Sequence, residues 1–210
     1  DIDVVANIAD IDIVAKVKSE IAPVKADLAP YFSSPAAFDT FVDQIVVNGK
    51  NKIIGNELND KNLTRYYAYL GTHLVGGFAD KIMEKQGITD PKRRVLWINK
   101  IMVPFNACIN RSQNALYDAN LCLKTLSSNL TPNLGLAAIY EITNATLAPT
   151  LPKDQSEKFK SDQLDSYRHC LNETSASSEV ISPANTNYCA LKTMKEGILK
   201  VTDYKLSKER

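Results

Sequence analysis

Several things are scarce in this chain of 210 residues, and each scarcity removes a class of function. It has only two histidines, His73 and His169, so a base beside a nucleophilic Ser or Cys has few places to sit. No zinc-protease helix motif, phosphate-cradling loop, dinucleotide-binding glycine pattern or nucleophile elbow occurs. Neither sign of charge dominates: 25 Lys and Arg stand against 24 Asp and Glu. Without a dense basic stripe there is no footing for counterion release on nucleic acid. The single basic cluster, Lys92-Arg93-Arg94, reads as a solvated first helical turn. No apolar run approaches the ~20 residues that span a bilayer. Period-two alternation is short and local, so strands are not expected.

What is present is a set of four cysteines in two similar frames. Pro91, Cys108, Asn120-Leu121-Cys122 and Ile142-Thr143-Asn144 are echoed by Pro152, Cys170, Asn187-Tyr188-Cys189 and Val201-Thr202-Asp203. The order and most spacings match, which reads as an internal repeat. Four cysteines allow three pairings. The repeat favours Cys108–Cys122 and Cys170–Cys189, each closing a local loop. The separations of 14, 48 and 19 positions do not suit a zinc site, which needs ligand pairs two to four residues apart. Disulfides persist outside the reducing cytosol, so an extracytoplasmic location is expected: secreted, cell-surface or periplasmic. Five Asn-x-Ser/Thr triplets, at Asn62, Asn110, Asn129, Asn144 and Asn172, exceed the about two expected by chance and mark candidate glycosylation positions. The chain opens at Asp1 rather than Met, consistent with a removed leader or lipid anchor upstream.

Apolar residues recur at three-and-four spacing through most of the chain, which predicts an all-α bundle of roughly six to eight helices. Val4, Ile8, Ile11, Val14, Val17 and Ile21 mark an amphipathic helix within residues 1–30, ended by Pro23. A cysteine-free hairpin is expected over 31–88. Ser34-Pro35 caps its first helix, which should end near Asn48-Gly49, and 49–61 reads as a loop around an Ile53-Ile54 plug. Its second helix carries Leu63, Tyr67, Leu70, Leu74, Phe78 and Ile82. A disulfide-stapled hairpin follows over 89–148 and a second over 149–210. In the first, the helix from Pro91 is apolar around most of its circumference and should be the most buried. Thr131 to Gly135 should break the chain. The hairpins bury their apolar faces by stacking on one another in one compact domain.

The candidate binding residues are Tyr66, Tyr69, His73, Gly76, Gly77 and Trp97. Tyrosine offers apolar area and a hydroxyl at low entropic cost. The paired glycines would admit either a neighbouring helix or a ligand against the backbone. No catalytic residue, metal ligand or cofactor is assigned. The function expected is non-enzymatic binding of a protein or cell-surface partner. The alternative is a carrier with a small apolar ligand enclosed by Trp97, Met102, Phe105, Tyr140 and Phe78. An enzyme working through carboxylates ranks below both.

Overall fold

The computed structural model describes residues 11–174 and 183–210, and the expected stripe positions Val4 and Ile8 lie outside them. Among the described residues there are seven long helices and no strand. They are α1 (Ile13–Ile21), α2 (Pro35–Gly49), α3 (Asp60–Leu70 and Gly76–Gln86, joined by a π-helical turn), α4 (Pro91–Asn110), α5 (Asn120–Ala138), α6 (Lys153–Thr174) and α7 (Pro183–Glu209). The all-α bundle and both predicted disulfides are present, with Cα–Cα distances of 5.8 Å for Cys108–Cys122 and 5.6 Å for Cys170–Cys189.

Local chemistry explains the helix ends. The carboxylate of Asp12, the hydroxyl of Ser34 and the amide oxygen of Asn59 each accept from the backbone N–H three residues on, satisfying donors that a helix start leaves orphaned. At the far end of α3, Gly87 takes φ 102°, a left-handed value that suits glycine. The Ile88 N–H then returns to the Met83 carbonyl at 3.0 Å.

The described chain divides into two compact units. The first comprises residues up to Lys81 together with Ile98–Ser127. Its centre is aromatic. Phe38 and Phe78 stack at 5.7 Å, Phe32 meets Phe38 edge-on at 5.3 Å, and Phe41 tilts against Phe78 at 5.6 Å. The second unit comprises Ile82–Trp97 and Ser128–Arg210. Here α6 and α7 pack along one another as a hairpin, with a core of Ile139, Tyr167, Cys170, Leu171, Cys189 and Ala190.

Three expectations need correction. Residues 49–61 are not one loop: α2 runs on through a π-helical turn, Lys50–Ile54, whose last residue is buried. The chain does not break at Thr131 to Gly135. Helix α5 passes through Pro132 because Leu130, Leu134, Ala137 and Ala138 are all buried on it. That burial outweighs the roughly 3 kcal/mol an interior proline costs. Nor is α4 the most buried helix, since Val95, Leu96 and Val103 are 52%, 48% and 65% exposed.

The π-helical turns have a cause in the sequence pattern. In α3 the buried positions recur every four residues: Leu63, Tyr67, Gly71, Val75, Ala79 and Met83. A regular helix repeats every 3.6 residues, so a four-residue stripe drifts about 40° per step. The wider turn over Gly71–Val75 takes up one extra residue and returns the stripe to the core.

A second repeat register also emerges. Leu28-Ala29-Pro30 and Leu147-Ala148-Pro149 both lead into a 3₁₀ turn, Ala29–Tyr31 and Ala148–Thr150, followed by an extended residue, Phe32 and Leu151. Asp43-Gln44-Ile45 and Asp162-Gln163-Leu164 follow in the next helix at the same offset of 119 positions.

Candidate functional site

The six candidate binding residues do not come together. Tyr66 is fully buried and its hydroxyl donates to the Val46 carbonyl at 2.7 Å. It is therefore a tie between α3 and α2 rather than a contact surface. Tyr69 and His73 lie one turn apart with ring centroids at 4.2 Å, and His73 is exposed. Gly77 is explained by packing, since a methyl group there would collide with the Phe41 ring, whereas one at Gly76 would meet Ile98 at 3.6 Å, an ordinary contact that does not require glycine. Trp97 belongs to the second unit, where its Nε1 donates to the Glu141 carboxylate at 2.8 Å and its ring meets Tyr140 at 5.7 Å. Arg93 grips the same carboxylate through Nε and Nη2, at 3.1 and 2.6 Å, a bidentate strut between α4 and the turn after α5.

Four of the five residues expected to line a carrier cavity are in contact with other rings or with backbone, and the fifth, Met102, is buried. Phe105 lies against Gly71, Phe78 sits in the aromatic stack, and Trp97 faces Tyr140. Of the five sequons, Asn144 is 3% exposed, so the folded protein has no room for a glycan there. The Asn62 amide donates to the Glu57 carbonyl at 3.0 Å. Asn110, Asn129 and Asn172 are exposed. His169 pairs with Glu173 at 2.9 Å on the outside of α6.

Two features of the second unit were not singled out in the sequence. One is a cleft of about 300 Å³ between α6 and α7. Leu151, Phe159 and Val201 form its apolar side, and Lys158, Asp162 and Lys200 its polar side. Lys158 and Asp162 hold each other at 2.9 Å. At this volume the cleft sits at the lower end of small-molecule sites.

The other feature is the outer face of α7. Thr186, Cys189, Ala190, Thr193 and Val201 are buried on its inner side. On the outside, Tyr188, Leu191, Ile198, Leu199 and Leu206 are each 49–65% exposed. At about 100° per residue these five fall within an arc of about 100°, the width of an ordinary core-facing stripe. Helix α7 is thus apolar on two opposite sides, and one of them faces outward. Periodicity misled here: the spacing of Leu191, Met194, Ile198 and Val201 predicts one apolar stripe on this helix, but Leu191 and Ile198 face outward while Val201 is buried.

The tyrosines of the cores are held neutral. Burial, reinforced by the neighbouring Tyr67 and Tyr69, raises the Tyr66 phenol far above its ordinary value. Burial does the same for Tyr167, whose hydroxyl donates to the Pro132 carbonyl at 2.7 Å. Tyr67 is pushed up to about 12 by burial and by the charge of Glu20. None of the three is exposed enough to meet a ligand.

No helix among the described residues is long and apolar enough to cross a membrane. No family model, curated protein or solved structure matches this chain.

Proposed function

We propose that this chain is a non-enzymatic, extracytoplasmic helical binding protein whose contact surface is the outer face of α7. The observation that carries the reading is the outward row of Tyr188, Leu191, Ile198, Leu199 and Leu206 on a helix whose other side is already packed. Single exposed apolar side chains are ordinary, but five gathered within one arc of a single helix mark a surface that another body covers. The two disulfides support an oxidising location. The partner is a protein or a cell surface.

The test uses the full, oxidised chain carrying a fluorescent label on intact cells. The Leu191→Glu/Ile198→Glu variant should keep the helical circular dichroism and lose cell attachment at least tenfold. Attachment unchanged in that variant would remove α7 from the contact. A small ligand, if carried, finds its place in the cleft beside Phe159 and Val201. Native mass spectrometry of purified protein, showing a bound mass that Val201→Trp expels, would favour that second reading.

A further inference from the structure

The outward row on α7 also carries information about what covers it. From Tyr188 to Leu206 it runs roughly 27 Å at 1.5 Å per residue, without a break longer than two helical turns. Its borders are cationic. Exposed Lys195 lies within the arc, while exposed Lys192 and Lys205 stand about 20° beyond its two margins. Residues 183–210 hold six Lys and Arg against three Asp and Glu, leaving 19 against 21 in the rest of the chain. The positive excess of the molecule is therefore concentrated on this one helix. Of the acids, Asp203 and Glu196 point beyond the lysine at one margin, and Glu209 enters the arc only after the last apolar residue.

We infer that α7 lies flat on an anionic lipid surface, its apolar row at the acyl boundary and its lysines among the phosphates. This rests on the reading of α7 as the contact face and names the occupant. Residue type separates a lipid from a protein. The centres of protein interfaces are depleted of lysine and enriched in Arg, Trp and Met. Here every cation beside the row, up to Leu206, is lysine, and its companions are aliphatic with one tyrosine. A protein partner would need carboxylates at matching positions along the helix. A lipid surface needs only net negative charge. Lysine also suits it geometrically: the four-carbon stem lies along the apolar row while the ammonium rises to the headgroups. An apolar face, flanking lysines and a tyrosine at headgroup level are the elements of an interfacial helix. No described helix is long and apolar enough to span the bilayer, and in this inference α7 lies along its surface. The association should also weaken with salt, because the electrostatic attraction falls off within a Debye length.

Sedimentation of the full oxidised chain with vesicles tests this. One set is phosphatidylcholine alone, and the other contains about 30% phosphatidylglycerol. The expected result is binding at least tenfold stronger to the anionic set, with most of it lost at about 1 M salt, where the screening length shrinks to about 3 Å. Leu191→Glu/Ile198→Glu and Lys192→Glu/Lys195→Glu should each lower binding tenfold or more. Lys153→Glu/Lys160→Glu on α6, an equal change of charge elsewhere in the same unit, should lower it less than threefold. The α7 variants and Lys153 alter exposed positions and Lys160 is half-buried, and circular dichroism verifies that each variant folds. Equal binding to both vesicle types, binding to neither, or binding indifferent to the α7 substitutions overturns the inference. If vesicles are not bound but Leu191→Glu/Ile198→Glu still abolishes cell attachment, the occupant is an acidic protein and the contact face stands. If that variant leaves cell attachment intact, the contact face itself falls.

Discussion

Phe38 in the first unit and Gln163 in the second are equally hidden, at 2% and 0% exposed, yet they stand for two ways of filling a helical core. Around Phe38 the space is taken by rings: Phe32, Phe41 and Phe78 lie within 6.3 Å of one another or of Phe38, centroid to centroid. In the second unit the interior is shared with polar groups. Thr143, Asn144, Thr186 and Thr193 are each no more than 3% exposed in the same unit. The Gln163 amide fits because Gly197 opposite has no side chain; a methyl there would sit 2.7 Å from Oε1. Neither amide atom of Gln163 has a hydrogen-bond partner among the described residues. Rings contribute area without obligations, whereas buried amides must be satisfied or they cost stability. The first unit is therefore the more strongly specified by packing, and the second is the one that carries the outward row.

This contrast is open to measurement. Phe38→Ala should cost about 3–5 kcal/mol in urea unfolding, because the stack loses its most buried ring and leaves a cavity. A loss under about 1 kcal/mol would mean the ring cluster is not the centre of stability. Next in size are the staples. Cys170→Ala/Cys189→Ala and Cys108→Ala/Cys122→Ala should each cost about 3 kcal/mol in the loop-entropy model. The loops, 14 and 19 positions long, are so similar that the two losses should agree within about 1 kcal/mol. A large inequality would show that one unit leans on its staple far more than the other.

Alkali should unfold the protein through its buried phenols. The Tyr66, Tyr67 and Tyr167 phenols are all raised in the fold. Raised acids bind their protons more tightly folded than unfolded, so their contribution is whole below the ordinary tyrosine value near 10. It drains away as pH climbs from there through about 12, where Tyr67 ionises in the fold. A melting temperature constant between pH 9 and 12 would contradict this. In the second unit, Gln163→Met should raise stability by about 1 kcal/mol, since the replacement has similar volume and no unmet amide. The smallest effect belongs to Tyr67→Phe, expected within about 1 kcal/mol of neutral because that hydroxyl has no hydrogen-bond partner among the described residues. Tyr66→Phe, which gives up the bond to Val46, should cost about 1 kcal/mol.

Much of the architecture was legible in the chain itself. Helix starts followed from Ser34-Pro35 and Asp90-Pro91, whose side chains or fixed φ serve the first turn wherever they occur, whereas the cap at Asp12 did not. Both disulfides followed from the repeated cysteine frame. The π-helical turn in α3 left a trace as well, a stripe recurring every four residues instead of 3.6, but the trace has meaning only once the stripe is known to stay buried. The tyrosine cluster misled because a tyrosine that ties two helices together and one that awaits a ligand have the same spacing in sequence.

Local chemistry, acting over three or four residues, determined the helices and their caps, and the repeated frame, with partners 14 and 19 positions apart, determined the pairing of the cysteines. Contacts between segments distant in the chain decided the rest. They put Tyr66 under Val46, filled the gap at Gly77 with Phe41, and carried α5 through Pro132. They also chose which of the two apolar sides of α7 would be packed and which would face outward. That choice is invisible in one dimension, because burial is a property of what lies across from a residue and not of the residues beside it.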